Sequence, residues 1–150
     1  MSEARPREED DMREDEERTA GEPVGKSAMD EEHELLHRIL DDLKAELTSG
    51  GGRVGELVDR FDVAARAHFL EEQSLMRLHA YPGYEPHQNE HDELIDELRR
   101  LTGRIEEGES GDAARLAQEL DEWLTVHMNT TDAALEEYLR REGIRPRTSG

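Results

Sequence analysis

Five histidines and two carboxylates carry the chemistry of this sequence: His33, His68 with Glu72, His87 with His91, and His127 with Asp132. Counted around helices at about 100° per residue, these positions turn inward and would meet inside one bundle. Imidazole and carboxylate donors together suit iron, zinc, copper or nickel. Helix bundles build metal sites from side chains that project into the core from facing helices, and two histidines one turn apart can grip a single ion. The whole set reads as a two-metal site.

Four amphipathic segments must position these residues. The first, residues 29–47, has an apolar stripe of Met29, Leu36, Leu40, Leu43 and Leu47. His33 lies about 50° from its centre and His37 about 90°, so His33 is the ligand candidate and His37 a flank residue. In the second segment the stripe is Leu57, Val58, Phe61, Ala64, Ala65, Leu75 and Met76. Its mean direction falls within about 25° of both His68 and Glu72, while Glu71 lies about 80° away. His79, at the segment's end, reads as a capping or surface residue. A buried Glu72 needs a cation or a donor close by.

The third segment aligns Leu94, Leu98, Leu101 and Ile105 with His87 and His91. That alignment favours a site over two solvated histidines. The fourth is irregular: Leu116, Leu120, Trp123, Leu124 and His127 share one direction, whereas Met128, Leu135 and Leu139 are rotated from it by about 95°. Asp132 stands five residues after His127 and falls on the shifted stripe. A π-bulge between them would absorb one residue and return both to the core, and such bulges cluster at functional sites. Trp123 reads as core; Tyr138 either packs or supports a neighbour of the site.

The stops between segments are Gly50 to Gly52, Tyr81 to Pro86, and Gly108 to Gly111. Short connections between long helices imply antiparallel neighbours. The expected fold is all-α, an up-down-up-down four-helix bundle over residues 29–141. Residues 1–28 alternate acidic and basic side chains with little to bury and are expected to form a disordered acidic tail. Residues 142–150 are expected to be flexible.

With no cysteine, nothing in the chain can be stapled by disulfides. A formal charge of −20 argues against nucleic acid and anionic membranes as partners. No signal pattern or membrane span is visible, so a cytoplasmic protein, monomeric by default, is expected. Only Lys26 and Lys44 are lysines among 19 basic residues, which fits adaptation to high salt or, equally, high-GC coding.

The quoted residues resemble the hemerythrin family in its bacterial, single-domain form. Met29-Asp30-Glu31-Glu32-His33 is similar to the family's opening motif, His68-Phe69-Leu70-Glu71-Glu72 with Met76 to its second, His87 with His91 to its third, and Trp123-Leu124-Thr125-Val126-His127 with Asp132 to its last. The resemblance implies two iron ions in a non-haem, oxo- or hydroxo-bridged centre. Glu72 and Asp132 would bridge, His33 and His68 would complete one iron, and His87, His91 and His127 the other. One coordination position is then left open for dioxygen. Departures are Gln73, where many members carry glutamate, a missing tryptophan before the first helix, a glycine-rich loop after it, and the long acidic leader. The resemblance implies a non-enzymatic carrier, store or delivery protein for dioxygen. An enzyme or sensor acting on peroxide, nitric oxide or redox state is the alternative. A metal-free structural bundle is disfavoured because seven inward polar groups would be costly to desolvate.

Overall fold

A computed structural model of the chain describes residues 28–144. The expected acidic tail, apart from Ala28, lies outside the described residues. Four long helical stretches follow one another: α1 (Ala28–Ser49), α2 (Val54–Leu78), α3 (Tyr84–Glu106) and α4 (Ser110–His127). α4 runs through a π-helical turn (Met128–Asp132) into α5 (Ala133–Arg141). There is no strand among the described residues, and no helix among them is long and apolar enough to cross a membrane.

The expected four-helix bundle is the observed fold, and cross-helix contacts give its order. His33 meets His68 of α2, Glu72 meets His87 of α3, Glu90 of α3 meets His127 of α4, and Lys44 of α1 reaches Asp121 of α4. Each helix thus touches its neighbours in sequence, and the fourth returns to the first. The connections, residues 50–53, 79–83 and 107–109, are too short for anything but antiparallel neighbours.

The second break is narrower than its sequence suggests. Tyr84, Glu85 and Pro86 form the first turn of α3 instead of a linker. Proline is tolerated there because the first-turn N–H groups have no partner within the helix. Four helices end in the same way, α1 among them, with Gly50 (φ 73°) followed by Gly51 N–H on the Glu46 carbonyl. At Gly108 (φ 76°) and Gly143 (φ 76°) the following N–H reaches back five residues, Glu109 to Arg104 and Ile144 to Leu139. α2 closes likewise, with Tyr81 N–H on the Met76 carbonyl, but Ala80 (φ 52°) occupies the glycine position.

Two apolar clusters fill the bundle. The larger includes Leu36, Leu40, Leu43, Phe61, Ala65, Leu94, Leu98, Leu120 and Leu124, with Trp123 packed against it. The smaller comprises Met29, Met76, Leu135 and Leu139, with Tyr81, Tyr84 and Tyr138 alongside. On α1, on α2 and along the α4–α5 stretch the candidate ligands stand between a member of one cluster and a member of the other, and on α3 between Tyr84 and Leu94. The site is therefore a polar layer enclosed between two apolar ones.

Candidate metal centre

All seven residues singled out from the sequence come together. His68, Glu72, His87, His91, His127 and Asp132 are at most 2% exposed, and the His33 side chain is 14% exposed. The π-helical turn is where the slipped stripe placed it, and it carries Asp132 inward at its last position.

The two carboxylates span the site. Glu72 Oε1 lies 2.9 Å from His91 Nε2 and 3.2 Å from His87 Nε2, whereas its Oε2 lies 3.3 Å from His68 Nε2. Asp132 repeats the pattern from the opposite helix. Its Oδ1 is 3.0 Å from both His87 Nε2 and His127 Nε2, and its Oδ2 is 3.1 Å from His33 Nε2 and 3.9 Å from His68 Nε2. His33 Nε2 and His68 Nε2 are 3.1 Å apart. Five rings thus turn Nε2 to a common centre. They form two groups, His87 with His91 and His127, and His33 with His68, and both groups share Glu72 and Asp132.

These donors fit cations. Despite these short distances, Glu72 Oε2, both Asp132 carboxylate oxygens, and Nε2 of His91 and of His127 are buried and none is aligned for a hydrogen bond. Buried polar atoms are costly unless something satisfies them. Two donors about 2.1 Å from one first-row ion, at right angles to each other, stand about 3 Å apart, which is the spacing seen throughout the layer.

Electrostatics point the same way. Burial opposes charge on the six buried groups, and mutual contact decides the outcome for most. Burial depresses His68, but Asp132, Glu32 and Glu72 outweigh it and lift the imidazole to about 12. Against the same burial, Asp132 and Glu72 raise His87 to about 9. His127 is raised by Asp132 and Glu90. Burial prevails only at His91, which is lowered. Burial would raise Glu72, yet His68, His87 and His91 pull it down to about 2. Asp132 is held well below the usual carboxylate range by His127, His33, His68 and His87. Both carboxylates remain ionised and attract positive charge, whether protons or metal ions.

A family model, described as the hemerythrin HHE cation binding domain, matches residues 24–139. The chain belongs to the hemerythrin family. Membership implies non-haem iron binding, and the enclosed layer of imidazoles and carboxylates is where this hemerythrin-family chain could hold it. Among curated relatives, the bacteriohemerythrin of Ralstonia nicotianae is 28% identical over 124 residues, covering 80% of this chain and 85% of the relative. The myohemerythrin of Sipunculus nudus is 29% identical over 110 residues, 69% of this chain and 85% of the relative. No solved structure gives a significant match.

His37 and His79, set aside in the sequence, stand apart from the layer in this hemerythrin fold. His37 lies on the α1 flank, its Nδ1 3.2 Å from Asp121 Oδ1. His79 caps α2, and its carbonyl accepts the Tyr138 hydroxyl at 2.8 Å, which gives Tyr138 a structural role. Trp123 packs on the larger cluster and also stacks on His127, ring centroids 4.9 Å apart and planes 12° from parallel. Phe69 stacks on His91 at 3.8 Å. Gln73 donates to the Tyr84 hydroxyl at 3.0 Å.

Two carboxylates escaped the sequence reading. Glu32 Oε1 lies 2.6 Å from His68 Nδ1, and Glu90 Oε1 lies 2.7 Å from His127 Nδ1. Each fixes the ring so that Nε2 faces the centre, the usual arrangement for a metal-binding histidine. The available signal is that each immediately precedes a ligand candidate, as Glu32-His33 and Glu90-His91. A residue one step before an inward position points about 100° aside, toward the neighbouring helix.

Proposed function

We propose that the chain is a non-haem di-iron protein that binds dioxygen reversibly, as a carrier, store or delivery protein, without turning over a substrate. One observation carries this reading: Glu72 and Asp132 each direct one oxygen to the three-histidine group and the other to the two-histidine group. Such carboxylates would bridge two ions. His87, His91 and His127 would complete one iron, and His33 and His68 the other.

When bound, the iron pair would supply the electrons that hold dioxygen. The rest is the protein's part. The two-histidine side is the side nearer solvent, because His33 is the most exposed of the seven residues. Dioxygen, being small and apolar, would reach it past α1 and α5, where Asp30 and Glu136 stand near His33. Glu32 would keep His68 oriented toward that ion. Leu36, Leu94 and Leu124 in the larger cluster, with Met76 and Leu135 in the smaller, close the layer on both sides. A dry wall would limit proton delivery into the layer and so favour release of dioxygen unchanged.

The curated names bacteriohemerythrin and myohemerythrin support this reading. It is tested by following oxygen and peroxide concentrations over the reduced, iron-loaded protein. Uptake of dioxygen in proportion to protein, recovered on deoxygenation and without continued loss of peroxide, is expected. Steady consumption of peroxide or nitric oxide would assign the site to an enzyme.

A further inference from the structure

Besides the contact of Asp132 with His87, the π-helical turn is tied to α3 through one atom of Glu90. Glu90 Oε1 accepts from His127 Nδ1 at 2.7 Å and from Thr131 Oγ1 at 2.7 Å. His127 closes α4, and Thr131 lies inside the turn, immediately before Asp132. One carboxylate oxygen therefore holds both sides of the five-residue step. Thr130, by contrast, donates only to the Val126 carbonyl of its own helix, at 2.7 Å.

A π-helical turn is a rare departure from regular helix and persists where its surroundings over-determine it. The competing conformation is continuous α-helix. There a five-residue step would rotate Asp132 about 140° from His127 and off the inward face. Local residues offer no obvious reason for the turn, since Met128-Asn129-Thr130-Thr131 contains neither glycine nor proline. Glu32 makes the matching contact with His68 on the other side of the bundle, but α2 is regular there and no such choice arises.

We propose that Glu90 is a positioning residue: it fixes the phase of the π-helical turn and so keeps Asp132 in the core, with or without metal. The mechanical part stands on the chain's own contacts. Its consequence for iron rests on the reading of Asp132 as a bridging ligand.

The test is amide hydrogen exchange across residues 128–132 in the metal-free protein, read relative to α2, for wild type, Glu90→Ala, Glu90→Gln and Thr131→Val. Losing a hydrogen bond to a charged acceptor should speed local opening about tenfold or more. Glu90→Ala should show that rise in the turn with α2 unchanged, and Thr131→Val a smaller rise at the same amides. Glu90→Gln, whose amide oxygen can accept from both partners, should stay near wild type. Unchanged exchange in the turn, or a rise shared equally with α2, overturns the proposal. Should Glu90→Ala not fold, Thr131→Val decides alone, because it leaves the contact with His127 in place. Asp132→Ala separates the two ideas: if it loads iron as wild type does, the ligand reading fails, while exchange measured without metal still judges the clamp.

Discussion

Asp132 Oδ1 stands 3.0 Å from His127 Nε2 although Asp132 comes five positions later in the chain. A regular helix would turn them well apart. The π-helical turn removes that difference, and through it the last helix supplies both an imidazole to one side of the layer and a carboxylate reaching across it. Irregular backbone here serves the geometry of the site.

Because Glu72 and Asp132 face both histidine groups, removing either should affect both ions, whereas a histidine belongs to one. Glu72→Ala and Asp132→Ala are expected to lose essentially all iron. His33→Ala should fall toward one iron per chain, since only the two-histidine side loses a donor. Metal analysis after reconstitution checks this. Equal losses in all three variants would contradict the division into two groups.

The metal-free protein should show an acidic stability optimum. His87 is raised from 6.5 to about 9, so its contribution is complete below pH 6.5 and is lost as pH rises toward 9. Glu72 is lowered from 4.5 to about 2, so its contribution is complete above pH 4.5 and is lost as pH falls toward 2. Metal-free stability is therefore expected to peak between these limits. Bound iron takes the place of the ring protons, and the alkaline decline should vanish on loading. Denaturant midpoints across pH, with and without iron, provide the check; a metal-free protein that grows more stable from pH 6.5 to 9 would refute the argument.

Glu32→Ala should weaken iron binding at the His33–His68 side by about 10- to 100-fold, the usual effect of losing a carboxylate behind a metal-bound imidazole. Glu32→Gln, which still accepts from His68 Nδ1, should recover most of it. Titration with ferrous iron under anaerobic conditions distinguishes the variants.

Ala80 adopts a left-handed conformation where the equivalent positions after α1, α3 and α5 carry glycine. Ala80→Gly relieves that strain and should stabilise the protein by about 0.5–1 kcal/mol, net of glycine's greater freedom in the unfolded chain. Thermal unfolding of the metal-free protein measures it. A lower midpoint would contradict the strain.

Much of this was legible in the sequence because each ligand candidate lies on an apolar stripe, where angle alone separates His33 from His37 and Glu72 from Glu71. The slip between Leu124 and Leu135 even located the π-helical turn. What angle could not reveal were contacts between helices. Glu32 and Glu90 point sideways on their own helices, and their meaning depends on which neighbour they face. Tyr84 to Pro86 read as a break because turn-forming residues also suit the first turn of a helix. Ala80 gave no signal, since its conformation comes from the closing contacts of α2 and not from its own preference.

The central claim, a di-iron layer that binds dioxygen reversibly, is tested most directly by counting iron in the reconstituted protein and cycling it between anaerobic reduction and air while recording its visible spectrum. Two iron ions per chain and a spectrum that changes with air and returns on deoxygenation are predicted. A protein that holds no iron, or whose spectrum does not respond reversibly to dioxygen, would contradict the account.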